Sequence, residues 1–130
     1  MIIVDSSVWI SYFHNHPVQT AEKLERLLFK REDLALPPFV LTEVLMGFKN
    51  DTHYSKAKKI LSKIHITPLS SNLFITSAEL YRKLRKKGVA VRGAIDCIIA
   101  QTCLDLGAEL FTLDRDFEKI SKHCSLKLLK

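Results

Sequence analysis

Four acidic residues far apart in the chain, Asp5, Glu43, Asp96 and Asp114, each stand in or just after an apolar run. Carboxylate oxygens gathered from separate elements form a hard ligand set that suits Mg2+ or Mn2+. An ion held by such a set polarises a phosphoryl oxygen, lowers the pKa of a coordinated water and can stabilise a departing oxygen. Hydrolysis of a phosphodiester is therefore the chemistry these residues would serve. The His, Cys and Ser residues offer no comparably consistent constellation.

Each acid also has an ordinary explanation. Asp5 could end a strand in a turn, Asp114 could cap a helix beginning at Arg115, and Asp96 could be a first-turn acid favoured by the helix dipole. Glu43 resists that treatment, because its helical neighbours three and four positions away are Phe39, Val40, Met46 and Gly47. A carboxylate among such residues is costly to keep ionised without a partner, and no Lys or Arg stands at those spacings. Asp96 shares its face with Ile99, Ala100 and Cys103, although Arg92 stands four residues before it. Acids of this kind need a cation from elsewhere, and a metal ion is the economical source.

The elements that would position them follow from periodicity. Ile2-Ile3-Val4 is an unbroken β-branched run, which suits a short strand buried on both faces, and it ends at Asp5. Ser6 or Ser7 then caps a helix from Val8 to about His14. A second helix starts near Thr20 and stops near Asp33, and Leu34-Ala-Leu36 is a strand closed by Pro37-Pro38. Phe39 to Lys49 reads as a helix apolar nearly all round and buried on several sides. Asp51 to Ile64 is amphipathic, and Ile66 to Leu69 is a third strand candidate. Ser71 or Asn72 caps a helix through about Lys87, ended by Gly88. Gly93 to Leu106 is the most regular helix, Leu110-Phe-Thr112 a fourth strand, Asp114 to Phe117 the opening of a short helix, and Leu126 to Leu129 a terminal strand. Strands alternating with helices imply an α/β fold with a parallel sheet covered on both sides, and ligands then gather outside the carboxyl ends of the strands.

Composition bounds the rest. At 130 residues the chain has the size of one domain, taken as 1–130, with no linker or repeat. The amino terminus lacks a basic leader and no apolar run approaches 18 residues, so no signal peptide or membrane span is expected and a cytoplasmic location is. Cys97, Cys103 and Cys124 have no CxxC spacing and are not paired with His at ligand spacing, which favours reduced thiols over disulfides or zinc. The net charge of +6 fits a polyanionic partner without requiring one. If four of the fourteen acids converge in one pocket, the remaining exterior is more basic still.

Asp5-Ser-Ser-Val-Trp-Ile, Thr42-Glu43-Val44-Leu45, Ala94-Ile-Asp96-Cys-Ile-Ile-Ala100 and Thr112-Leu-Asp114-Arg-Asp116-Phe117 together resemble the PIN domain family, in particular its compact VapC-type toxins. The resemblance spans essentially the whole chain. It implies a three-layer α/β/α sandwich with strand order 3-2-1-4-5 and a Mg2+- or Mn2+-dependent ribonuclease activity. It further implies a homodimer and a small antitoxin partner. By position Asp5, Glu43, Asp96 and Asp114 would take the four acidic roles, with Asp116 as an additional acid. Asp5 and Asp96 would bind the metal most directly, Asp114 or Asp116 would complete the shell, and Glu43 would ligate through water or orient the attacking water. Ser6 and Thr112 are candidates for holding a carboxylate, or are simply a helix cap and a strand-end hydroxyl.

Cations and aromatics stay open to two readings. Arg82 to Lys87, Arg85 among them, either complement a helix carboxyl end or contact an RNA backbone. Arg92 meets the scissile phosphate or pairs with Asp96 at helical spacing. Trp9, Tyr12, Phe13 and Phe48 are core, or some of them line a groove for dimerisation or for an antitoxin helix. Two rival functions remain. A phosphoacceptor receiver would need an Asp after its third strand, and Ile66 to Ser71 supplies none. A non-catalytic RNA-binding or scaffold protein with the PIN fold is disfavoured by four intact acids and is separated by a nuclease assay.

Overall fold

The computed structural model describes residues 1–130 and is built around a five-stranded parallel sheet. Its strands are β1 (Ile2–Val4), β2 (Leu34–Leu36), β3 (His65–Ile66), β4 (Glu109–Phe111) and β5 (Lys127–Leu128), in the order β3-β2-β1-β4-β5. All four pairings are parallel, as the alternation of strands with helices requires. The central strand β1 is buried at every residue, so its apolar run has no polar alternation to spend on solvent. The outer strands β3 and β5 are two residues long and carry His65 and Lys127, which keeps the sheet edges short and polar.

Seven helices cover the sheet: α1 (Ser6–His14), α2 (Val18–Phe29), α3 (Pro38–Leu45), α4 (Asp51–Leu61), α5 (Ser71–Lys86), α6 (Ala94–Leu106) and α7 (Asp116–Ser121). α1 packs on α2 and α3, and α5 packs on α6. The result is the expected α/β/α sandwich. Its core includes Ile3, Val4, Trp9, Leu24, Leu36 and Leu110, all fully enclosed. No helix is long and apolar enough to cross a membrane.

Several boundaries differ from the sequence expectation for identifiable reasons. α1 begins at Ser6, so both serines lie inside the helix; Asp5 takes the cap position without a side-chain cap bond, its Oδ2 accepting instead from the Ser7 and Thr112 hydroxyls. α5 is capped by Ser70, whose hydroxyl accepts from Leu73 N–H at 3.1 Å, rather than by Ser71 or Asn72. α3 ends at Leu45, four residues short of Lys49, and only Val40 and Val44 on it are buried. Val40 and Val44 form its buried i, i+4 edge, Phe39, Leu41 and Leu45 pack partly against the core, and Thr42, Glu43 and the 77% exposed Met46 beyond its end face outward, so this helix is not buried all round. β3 stops at Ile66, ahead of Pro68, which has no N–H for a ladder.

The placement of the core predicts an asymmetry between two apolar residues. Ile3→Val should cost about 1 kcal/mol and Ile3→Ala about 3 kcal/mol, whereas Met46→Ala should stay within about 0.5 kcal/mol of the parent, by guanidinium unfolding. Equal losses at positions 3 and 46 would contradict the packing described.

Candidate metal centre

The junction between β1 and α1 fixes the first acid. Asp5 N–H donates to the Phe111 carbonyl of β4 at 2.9 Å, and the Asp5 carbonyl accepts from Val8 and Trp9 N–H at 3.1 and 3.2 Å. Its side chain is buried, 6% exposed, and Oδ2 accepts from Thr112 Oγ1 at 2.8 Å and from Ser7 Oγ at 3.0 Å. Those hydroxyls accept in turn from Asp114 N–H and Leu113 N–H, both at 3.0 Å. Val4 stands opposite Phe111 in the ladder, so the next residues, Asp5 and Thr112, leave the sheet side by side. Thr112 is thus a strut between two acidic segments. Ser7 escapes a reading from sequence, where it looks like a helix cap; its place two residues after a strand-end Asp was the available signal.

Asp114 and Asp116 follow β4 in a tight turn in which Asp116 N–H donates to Asp114 Oδ1 at 2.9 Å. Asp96 lies in the first turn of α6. Ligand oxygens of Asp96, Asp114 and Asp116 lie within 4.8 Å of one another, so these three could hold a single ion. Asp96 is half-buried, and its carboxyl is pushed above its ordinary value of 3.8, first by burial and then by the negative charge of Asp114. Asp5 and Asp116 add to that repulsion, and Arg92 opposes it. The cluster therefore carries more negative charge than its protein cations balance, which is what a divalent ion would relieve. The all-oxygen donor set fits Mg2+ or Mn2+ in kind.

Arg92 does not pair with Asp96 at helical spacing. α6 starts at Ala94, so Arg92 precedes the helix and the i, i+4 geometry does not apply. Its guanidinium instead spans two carboxylates, Nη2 donating to Asp114 Oδ2 at 3.0 Å and Nε lying 2.8 Å from Asp116 Oδ2.

Glu43 also departs from expectation. It is exposed, on the outward side of α3, and accepts from Ser6 Oγ at 3.0 Å through Oε1 and 3.3 Å through Oε2. Its apolar helical neighbours do not enclose it, because helical spacing identifies neighbours but not which side of the helix meets the core. Its place at the site survives for another reason: Asp5, Glu43, Asp96 and Asp114 all line one cleft of about 600 Å3, together with Ser6 and Arg92. Exposed Met46, Ile95 and Ile10 give this cleft an apolar rim.

Arg85 is not brought to the cleft. Its guanidinium carbon lies 5.6 Å from the Tyr81 ring centroid, on α5. Of the aromatics, Trp9 is enclosed, while Tyr12, Phe13 and Phe48 border a separate surface groove of about 740 Å3 with Glu22, Glu25 and His53. Burial and the neighbouring Glu25 push Tyr12 up to about 12. All three cysteines are free, and burial holds the Cys97 and Cys103 thiols near 11 and 12, so neither offers a thiolate nucleophile.

A parallel α/β/α sandwich with acids converging at the carboxyl ends of its two central strands is the class this fold and cleft define. The PIN domain family model matches residues 2–123, and the chain belongs to that family. Over 129 residues it is 27% identical to VapC ribonuclease Mb1587 of Mycobacterium bovis, covering 98% of this chain and 96% of that protein. It matches ribonuclease VapC11 of Mycobacterium tuberculosis at the same identity and coverage. Among solved structures it resembles the crystal structure of VapBC2 from Rickettsia felis bound to a promoter DNA fragment, with a TM-score of 0.77, 25% identity and coverage of 99% of this chain and 98% of that one.

Two stability effects follow from the cluster. The raised Asp96 carboxyl means the folded state binds this proton more tightly than the unfolded chain does. Its charge is then a penalty above the folded pKa that fades as pH falls toward 3.8. Asp96→Asn should accordingly raise Tm at pH 7 in EDTA, with the gain shrinking as pH approaches 4; a lower Tm at pH 7 would contradict this. Thr112→Val strips a donor from a buried carboxylate and an acceptor from the Asp114 N–H, and should cost about 1–3 kcal/mol by urea unfolding.

Proposed function

We propose that this protein is a Mg2+- or Mn2+-dependent ribonuclease, the toxin of a two-component module, held in check by a small antitoxin in the cytoplasm. The observation that carries this reading is the convergence of Asp5, Asp96 and Asp114 in one cleft with uncompensated negative charge. The VapC ribonuclease relatives support the nuclease, and the VapBC2 neighbour supports the antitoxin partner.

On this reading residues 1–130 act as one domain. Asp5, Asp96, Asp114 and Asp116 hold the ion, which when bound supplies charge to polarise the phosphate and to activate water. Glu43, steadied by Ser6, orients the attacking water and accepts its proton. Thr112 and Ser7 aim the Asp5 carboxylate by hydrogen bonding. Arg92, at the mouth, binds the scissile phosphate, and Arg85 meets the RNA backbone further from the reaction. Twenty basic side chains on a +6 chain suit that polyanion. The groove bordered by Tyr12, Phe13 and Phe48 suits an amphipathic antitoxin helix, and the apolar rim at Met46 and Ile95 suits a homodimer.

Purified protein should cleave RNA with Mg2+ or Mn2+ and stop with EDTA. Asp5→Asn and Asp96→Asn should each lower the rate by about 100-fold or more, beyond the loss typical of supporting residues, while circular dichroism stays native. Cleavage that survives EDTA, or that both variants retain, would overturn the proposal.

A further inference from the structure

Arg92 is the one cation that touches the acidic cluster at more than one carboxylate. Its planar edge reaches Asp114 Oδ2 at 3.0 Å and Asp116 Oδ2 at 2.8 Å. Both residues also belong to the group whose oxygens lie close enough to share an ion. Asp114 Oδ1 is already engaged by the Asp116 N–H, which leaves Oδ2 as the oxygen of Asp114 not tied into its own turn. A divalent cation bound through Asp114 Oδ2 would meet the guanidinium at the same oxygen, and their positive charges would repel each other.

We propose that Arg92 is an exchangeable counter-ion of this centre: it bridges Asp114 and Asp116 while the ion is absent, yields those oxygens when the ion arrives, and so becomes free to take the RNA phosphate. This rests on the metal-dependent nuclease reading above. Three features favour exchange over a permanent brace. The Arg92 side chain is 74% exposed, against 27% and 29% for its two partners, so water readily replaces the ion pair. Arg92 precedes α6 and is followed by extended Gly93, so no helical turn confines its swing. The planar fork that fits two carboxylate oxygens also fits a phosphate, so the group released has a second partner of the same geometry.

The test is Mn2+ titration calorimetry on the metal-stripped full chain. Lys119→Gln is the control, since Lys119 Nζ lies 3.8 Å from Asp116 Oδ1, and the structure records no ion pair between it and Asp114. Arg92→Gln should tighten Mn2+ binding by about 5-fold or more and Lys119→Gln by less than about 2-fold, because only the first removes close contacts to two carboxylates in addition to charge. Equal gains would reduce Arg92 to a general field effect and overturn the exchange; weaker or unchanged binding in Arg92→Gln would make it a brace and overturn it too. If the parent chain binds no Mn2+, the metal reading itself fails and exchange with it, an outcome distinct from the other two. A second readout is the Arg92 Nε–H signal in NMR, assigned with Arg92→Lys. Saturating Mg2+ should move it to the position of a free arginine, and a signal unmoved in the loaded protein would overturn the proposal.

Discussion

Like-charge repulsion at the carboxyl ends of β1 and β4 is the constraint the rest of the molecule has to accommodate. Asp5, Asp96, Asp114 and Asp116 are held near one another although burial, and after it the charges of the other three, raise the Asp96 carboxyl above its ordinary value. What prevents them from spreading is mostly neutral. Parallel pairing of Val4 with Phe111 sets Asp5 beside Thr112, and two hydroxyls tie those strand ends together. The enclosed core beneath, with Ile3, Val4 and Leu110 fully buried, supplies the rigidity against which the repulsion acts.

Such an arrangement exchanges some stability of the metal-free chain for a site that needs little reorganisation when a cation enters. The serine and threonine hydroxyls are suited to the task because they donate to a carboxylate while accepting a backbone N–H, as Thr112 does between Asp5 and Asp114. A cationic partner in the same place would neutralise the acid and remove the electrostatic reason for an ion to bind. Arg92 stands at the exposed mouth instead, where its charge reaches the outer pair of acids.

Much of the architecture was legible in the residues themselves. Three consecutive β-branched residues marked the central strand, and alternation with helical periods marked a parallel sheet, because a strand buried on both faces cannot alternate polar with apolar. The acids at positions 5, 96 and 114 could be located because each sits where an element starts or ends. Orientation was not legible. Glu43 looked enclosed from its neighbours on α3, yet the helix turns Thr42 and Glu43 outward while Val40 and Val44 take the buried edge. The partners of Arg92 were missed because Arg92 lies before the first turn of α6, where its pairing is tertiary and not set by helical spacing. Ser7 was missed because its role exists only after β1 and β4 lie side by side.

The central claim is that these carboxylates share a divalent ion. Crystals soaked in Mn2+ and measured at the manganese absorption edge address it without reference to any activity. If the carboxylates share an ion, an anomalous peak will lie among those of Asp96, Asp114 and Asp116, on the side facing Asp5. A fully soaked crystal with no peak there, or with manganese only at surface acids such as Glu22 and Glu25, would contradict it.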